Sequence, residues 1–506
     1  MPRTRVADAL PVHLALRRGE SEAMYRQLYA ALRTAVLEGA FAPGARLPST
    51  RALADDLGVS RTTVLQAFDM LVSEGYATAR STGGTRVANT LPHLPRGETA
   101  PGSAVRPNQA SSPPRLSRAA QACVEEFQTP RPPFRAVPFA LGLPAIDEFP
   151  AALWARLVAR RWRANAAEML GFTDVCGYPP LREAIARYVM TARGVRCTSE
   201  QVIVVNGAQH GVDLMARLLL DPGDIAWVEE PGYRPVRAAL RAAGAEIVRV
   251  PVDEQGIDVR QGERRAPHAR LAFVTPSYQA PLGVTLSLER RLALLDWAER
   301  ADAWVLEDDY NGEFRYDTHP IPAVQGLDRA GRVIYIGTFS KTLAPGLRVG
   351  YLVVPPVLVK PIVSVRLASD LHTSVPDQAV LADFLTGGHF ARHIRRTREL
   401  YRRRQQTLVE LAPTATGGML DVQPAAAGMR LLGLLPPGVD ARTVARVAAD
   451  RGVQVTPLIQ SAPTTMTAGR GALLLGYAAF DRNATRAALC TLGDVIRDIL
   501  AGGKAR

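Results

Sequence analysis

Residues 333–351 read VIYIGTFSKTLAPGLRVGY. β-Branched and aromatic residues fill 333–338, small residues and a single lysine follow, and Arg348 opens a second apolar run. The pattern predicts a strand, a turn that carries an amine, and a further strand. Lys341 is one of only three lysines in 506 residues, the others being Lys360 and Lys504, so nearly all the positive charge is arginine. Arginine stays protonated and forms no imine at neutral pH, whereas a lysine in an apolar, glycine-bounded turn can act as a nucleophilic amine. Lys360 and Lys504 read as ordinary surface lysines.

Outward from this turn, apolar strands alternate with amphipathic helices: QVIVVNG (201–207), IAWVEE (225–230), EIVRVPV (246–252), LAFVTPS (271–277) and AWVLEDD (303–309). Such alternation indicates an open, largely parallel α/β sheet with ligands beyond the strand C-terminal ends. A site for pyridoxal 5'-phosphate needs an amine for the aldehyde, an anion for the ring nitrogen and donors for the phosphate. Lys341 supplies the amine. In AWVLEDDYNGEF, Asp308 is assigned to the ring nitrogen and Tyr310 to the ring oxygen, while Asp309 is read as a solvated strand end. In VVNGAQHG, Gly207 allows a tight turn and the amides of Ala208 and Gln209 open a helix toward an anion. Thr338 and Ser340 flank the lysine, and Arg348 adds a positive fork.

Residues 24–88 form a different unit. Tyr25, Leu28, Tyr29, Leu32 and Val36 recur at helical spacing, and Gly39 ends that helix. Ser49 or Thr50 can cap a short helix that Gly58 breaks, and Ser60 caps another running to about Glu74. On that last helix Val64, Phe68 and Leu71 share an inward face, leaving Thr62, Gln66 and Asp69 outside with Arg61 and Thr63 near its N-terminus. Two helices joined at a glycine make a helix-turn-helix, and YATARSTGGTRVA alternates like a hairpin turning at Gly83-Gly84. From residue 89 to 136 the text is rich in Pro, Ser and Ala, as in a linker, with a short helix around Arg118 to Phe127.

Composition sets bounds. A chain of 506 residues exceeds what one core organises, so several domains are expected: an extension (1–23), the head (24–88), the linker (89–136) and an α/β domain (137–506). The formal charge of +13 suits a partner that carries phosphates. Cys123, Cys176, Cys197 and Cys490 are scattered without a CxxC pair, the histidines lack ligand spacing, and no metal is assigned. With neither a signal-peptide core nor an apolar stretch of membrane-spanning length, a cytoplasmic protein is expected. The basic run FARHIRRTRELYRRR (390–404) could touch DNA, but a solvated or dimer-contact helix face is the favoured reading.

The string from Leu28 to Ala88 resembles the GntR-type winged helix. That resemblance implies double-stranded DNA as partner, with contacts from Arg51, Arg61, Thr62, Thr63 and Gln66, and from Gly84 and Thr85 at the wing tip; Ser49 is a further candidate that also caps its helix. Residues 137–490 resemble fold-type I aminotransferases through GYPPLREAIARYV, NGAQ, EEPGYRP with Tyr233 as ring-stacking residue, TPSYQAPLG, EDDY and GTFSKTLAPGLRVGY, in family order. Together they resemble MocR-type regulators, which implies a winged helix-turn-helix plus an aminotransferase-like domain that senses an effector, usually in a head-to-tail homodimer.

Two departures bear on function. The turn QAPLG puts Ala280 where aminotransferases place an asparagine beside the ring oxygen, leaving Tyr310 without that partner, which is expected to raise the imine pKa or leave the cofactor less tuned for proton transfer. GALLLGYAAF puts Leu474 where an arginine holds substrate carboxylates, with Arg430, Arg470 and Arg234 as possible substitutes. The expected function is a regulator that senses pyridoxal phosphate, or an amine or amino acid, through an aldimine at Lys341. The alternative is an aminotransferase with an accessory head; enzyme activity is left open, with weak aminotransferase-like turnover at most.

Overall fold

The computed structural model describes residues 16–17, 22–80, 84–90, 115–127, 136–316, 321–459, 467 and 469–503. The chain divides into two compact units, Met1–Pro113 and Pro114–Arg506.

In the first unit, α1 (Met24–Leu37), α2 (Thr50–Leu57) and α3 (Arg61–Ser73) precede the antiparallel pair β1 (Ala77–Arg80) and β2 (Gly84–Val87). Leu28 and Leu32 of α1, Leu53 of α2, and Val64, Ala67, Phe68 and Leu71 of α3 share one core. Burying each of the larger side chains stabilises the head by about 1.5–3 kcal/mol. Ser49 and Ser60 accept from the amides of Ala52 and Thr63, so both act as N-caps. The expected hairpin forms, but β2 already begins at Gly84, opposite Arg80. The turn, Gly83 included, lies outside the described residues.

The second unit opens with α4 (Arg118–Glu126), the helix expected within the linker. Then come α5 (Ala151–Ala164), α6 (Ala166–Leu170), α7 (Pro179–Arg193), α8 (Ala208–Leu219) and α9 (Arg234–Ala242). The strands are β3 (Val202–Val205), β4 (Ile225–Glu230), β5 (Glu246–Asp253), β6 (Gly256–Ile257), β7 (Leu271–Val274), β8 (Trp304–Asp308), β9 (Val333–Thr338) and β10 (Gly350–Val353). These eight make one sheet of order β3-β10-β9-β8-β7-β4-β5-β6. Strands β9, β8, β7, β4 and β5 run parallel, while β10 is antiparallel to both β9 and β3. Residues 339–349 between β9 and β10 are too few for a helical crossover, which takes about a dozen or more. The chain therefore doubles back, and Lys341 sits on that return.

Every residue of β3, β7 and β9 is buried, as required of strands covered on both faces. Trp227 and Trp297 stack at 3.8 Å between ring centroids beneath one face. A smaller antiparallel sheet, β11 (Asp421–Val422), β12 (Arg430–Leu434), β14 (Ala472–Gly476) and β13 (Thr456–Pro457) in that spatial order, is packed by the helix Ala441–Asp450, which the helix Arg482–Gly503 covers in turn. Phe139 bridges to Gly476 of β14, which holds residues 139–142 close to the Lys341 turn.

The basic helix His389–Ala415 buries Phe390, His393, Ile394, Thr397 and Tyr401. Several of its arginines bond within this unit: Arg398 to the Glu313 carbonyl, and Arg404 to Asp147 and the Ala478 carbonyl. Cys176 is buried, Cys490 exposed, and all four cysteines are free thiols.

Candidate cofactor site and DNA-reading face

The candidate site lies where β3, β4, β7, β8 and β9 end. Lys341 Nζ donates to the Gly142 carbonyl at 3.2 Å. Gly142 has φ +75°, a conformation that favours glycine, and a Cβ placed there would lie 2.4 Å from Nζ and push the amine from this position. Asp308, the last residue of β8, is 6% exposed, and its Oδ1 is buried without a hydrogen-bond partner. Burial, then the charge of Asp309, push its carboxyl up to about 7 against the opposing pull of Lys341. Ser340 Oγ is likewise buried and unpartnered, while Thr338 Oγ1 accepts from the Ser340 amide.

Across from this turn, Gly207 takes φ +83° ahead of α8, so Ala208 and Gln209 begin that helix with free-ended amides of the kind that bind anions. Arg348 donates to the Asn206 carbonyl at 2.9 Å and packs so closely that a Cβ on Gly207 would meet its guanidinium. Arg348 itself has φ +51°, a costly conformation for a non-glycine residue that the tight return imposes. The Gln209 side chain donates through Nε2 to the Pro235 carbonyl in α9, bracing the helix whose N-cap is Tyr233. Tyr233 is 40% exposed, as a stacking platform open to a ligand would be.

Three expectations need correction. Asp309 is not a solvated strand end: it is 4% exposed and accepts from Arg193 at 2.6 Å and from Tyr335 at 2.8 Å. The next is a refinement: Tyr310 lacks the asparagine, since Ala280 stands there, but Arg430 Nη2 donates to its hydroxyl at 2.6 Å. The third narrows the three candidate arginines. Arg470 is tied to the Leu434 and Leu435 carbonyls at the far end of β12, and Arg234 pairs with Glu126. Only Arg430 reaches the Tyr310 side of the site. Leu474 is buried in β14, paired with Leu432 and Thr456.

Sequence reasoning missed Glu229. It accepts from the Thr275 backbone amide and hydroxyl and from the Gln279 side-chain Nε2, and Thr275 Oγ1 in turn accepts from the Ala280 backbone amide. Burial pushes the Glu229 carboxyl up to about 7 despite those bonds. Glu229 thus shapes the turn that presents Ala280. Nothing in EEPGYRP distinguishes it from the neighbouring Glu230, because its partners come from another strand end.

On the head, Arg51, Arg61, Thr62 and Gln66 are exposed. Arg61 donates to Thr50 Oγ1, and Thr63 shares a hydrogen bond with Ser60, so Thr63 and Ser49 are bound up in capping. Arg46, missed because it lies in an irregular turn, bridges to Arg86 and lies 3.2 Å from where a Gly84 side chain would be. It adds an exposed cation beside the start of β2, next to Thr85.

The buried, unpartnered Asp308 Oδ1 and Ser340 Oγ around a lysine amine fit pyridoxal phosphate, which needs an anion at its ring nitrogen and donors at its phosphate. Residues 148–476 match the family of class I and II aminotransferases, and residues 24–87 match the bacterial regulatory proteins of the gntR family. The probable rhizopine catabolism regulatory protein MocR of Rhizobium meliloti is 42% identical over 483 residues, covering 95% of each chain. The pyridoxine biosynthesis transcriptional regulator PdxR of Corynebacterium glutamicum is 31% identical over 494 residues, 96% of this chain and 98% of its own. The solved α-aminoadipate aminotransferase LysN of Thermus thermophilus, complexed with N-(5'-phosphopyridoxyl)-L-leucine, superposes with a TM-score of 0.67 at 28% identity, covering 76% of this chain and 98% of that one. The chain therefore belongs to the MocR-type regulators, in which a GntR-family DNA-binding head is joined to a pyridoxal-phosphate-binding aminotransferase domain.

Proposed function

We propose that this protein is a transcription regulator whose residues 24–88 read double-stranded DNA while residues 137–506 sense pyridoxal phosphate, or an amine or amino acid captured with it. Residues 89–136 act as the linker between them. The observation that carries this reading is one chain holding both an exposed Arg61, Thr62, Gln66 face and Lys341 beside a buried Asp308 Oδ1 and Ser340 Oγ without hydrogen-bond partners. When bound, the cofactor supplies an aldehyde for amines and a ring that withdraws electrons.

Each role follows from the chemistry of this chain's own residues. Lys341 would supply the amine toward the aldehyde of the cofactor. Asp308 would hold the ring nitrogen, Tyr310 the ring oxygen, and Tyr233 would offer its ring as a stacking face. Ala208 and Gln209 with their amides, Thr338 and Ser340 with their hydroxyls, and Arg348 with its charge take the phosphate. On DNA, Arg51 and Arg61 bind phosphates, Thr62 and Gln66 reach base edges, and Thr63, Gly84 and Thr85 complete the contact. The working unit is a head-to-tail homodimer in the cytoplasm; among the described residues no helix is long and apolar enough to cross a membrane.

A ligand moves DNA affinity only by binding the DNA-competent and incompetent states differently, typically by about 5- to 150-fold. A gel-shift assay on the chain's own upstream region, with and without pyridoxal phosphate and a panel of amines, tests the reading. A ligand-dependent shift in affinity of that size is expected. Specific binding in no condition, or identical binding in all, sinks it. Leu474 and Ala280 disfavour efficient transamination, and rapid single-turnover conversion of an amino acid to its keto acid would restore the enzyme reading.

A further inference from the structure

Arg430 is the first residue of β12, and its guanidinium grips the turn that contains Ala280. Nε donates to the Pro281 carbonyl at 3.2 Å and Nη2 to the Gln279 carbonyl at 3.3 Å, one on either side of Ala280. Nη2 also donates to the Tyr310 hydroxyl. The Tyr278 and Tyr310 rings stand 5.4 and 5.6 Å from the guanidinium carbon, and Tyr278 returns a hydrogen bond to the Arg430 carbonyl. Arg430 makes no ion pair with any described carboxylate. Two backbone carbonyls, a phenol and two ring faces hold the guanidinium, and with no carboxylate among the described residues to neutralise it, its charge stays available to an anionic oxygen.

We infer that Arg430 replaces the side-chain partner that Ala280 cannot offer, acting with Tyr310 on the oxygen of the cofactor ring. The inference rests on the reading that Lys341 binds pyridoxal phosphate. Its physical content is simple. An asparagine at 280 would offer a neutral donor to the ring oxygen, whereas an arginine anchored on the backbone of 279 and 281 offers a charged one from the opposite strand. The anchoring fixes the fork, so its charge costs no reorganisation when the oxygen is anionic. The other groups facing Arg430 are the Tyr278, Tyr310 and Tyr477 phenols, and beyond Tyr310 stands Asp308.

The role makes Arg430 a positioning and tuning residue with a spectroscopic signature. A fixed cation favours the anionic ring oxygen and so eases loss of the proton from the lysine-bound chromophore. The readout is the pH midpoint of the absorbance near about 420 nm of the loaded full-length protein. Arg430→Met is expected to raise that midpoint by about 1–3 pH units, the range for an opposite charge at close contact. Arg430→Lys keeps the charge and recovers most of the shift, and Ala280→Asn added to Arg430→Met brings the midpoint back down.

If Arg430→Met misfolds, Ala280→Asn alone decides. Little change is expected because the role is already filled, and a drop of a unit or more overturns the inference. An Arg430→Met protein that keeps its chromophore with an unmoved midpoint also overturns it. If that variant loses affinity for amino acids but not for simple amines, the outcome identifies a carboxylate clamp instead and the inference fails. Absence of any chromophore in the unaltered protein overturns the cofactor reading itself, which separates the two failures.

Discussion

Arg193 and Asp309 meet in an ion pair sealed from solvent, with Nε 2.6 Å from Oδ2 and side chains 2% and 1% exposed. Arg193 closes α7 and Asp309 follows Asp308, so the pair ties a helix of the N-terminal half to the strand end that carries the cofactor anion. Tyr335 donates to the same oxygen, while Arg193 also donates to Ser277 and to the Gly312 carbonyl. Removing one partner strands a buried charge and costs about 3–5 kcal/mol. Asp309→Ala should lower the urea midpoint of the second unit accordingly, and Arg193→Met combined with Asp309→Leu should recover part of the loss. Equal midpoints for Asp309→Ala and the unaltered protein would show the pair to be dispensable.

Asp308 yields a pH prediction. Its carboxyl is raised from 3.8 to about 7 in the cofactor-free fold, chiefly by burial. A raised carboxyl binds more protons folded than unfolded, so its contribution to stability is full below about pH 4 and is lost as pH climbs through about 7. Asp308→Asn keeps the shape and removes the titration. The cofactor-free variant should match the unaltered protein near pH 4 and exceed it above pH 7, by up to about 4 kcal/mol as an upper bound. With pyridoxal phosphate present the order should reverse, since the variant lacks the ring-nitrogen anion. Parallel stability curves from pH 4 to 8 would refute the burial argument.

In the head, capping and reading separate. Ser49 accepts from the Ala52 amide, so Ser49→Ala should cost about 1 kcal/mol of head stability. Its specific DNA binding at temperatures well below melting should be unchanged. Arg61→Ala and Gln66→Ala alter exposed residues and should leave the melting temperature alone while weakening operator binding. For Arg61→Ala the salt dependence should also flatten by about one counterion, as expected for a lost phosphate contact. A Ser49→Ala protein that is stable yet fails to bind DNA would reassign Ser49 as a reader.

How much of this was legible in sequence depends on how far apart the partners lie. Lys341, Asp308 and the capped α3 could be read because each announces itself within a few residues: a lysine in a small-residue turn, a carboxylate ending an apolar run, a serine before a 3.6-residue period. The burial of Asp309 could not be read, because its partner is 116 residues away and the residue looks identical to a solvated neighbour. Arg430 reaches Tyr310 across 120 residues, and among dozens of arginines nothing local marks it. The antiparallel return of β10 was missed for another reason: apolar runs report burial but not direction, and only the short connection through Lys341 forces the reversal.

The linker helix offers a test of its own. Glu126, whose side chain is 6% exposed, is held by Arg234, Arg237 and Arg241, all on α9. One carboxylate bridges three guanidinium groups there, with Glu230 reaching only Arg237 among them, so its loss leaves a larger excess of like charge on one helix face. Glu126→Ala should release α4 while the rest of the unit stays folded. Trypsin should then cut at Arg115 and Arg118 several times faster, with an unchanged melting transition for the sheet domain. Unaltered cleavage would mean that apolar contacts alone seat the helix.

The sharpest test of the lysine turn leaves the lysine in place. Gly142 holds φ +75°, and a Cβ there would sit 2.4 Å from Lys341 Nζ and 3.5 Å from Cε. Gly142→Ala therefore imposes backbone strain and drives the amine away from the carbonyl that fixes it. The variant should fold, since Gly142 lies in an irregular segment, yet take up pyridoxal phosphate at least about tenfold more weakly, as about 1.4 kcal/mol of strain or displacement would produce. Lys341→Ala should abolish the absorbance near about 420 nm altogether. If Gly142→Ala loads normally, the amine does not need the position seen here, and the close approach of residues 139–142 to the turn has no part in binding.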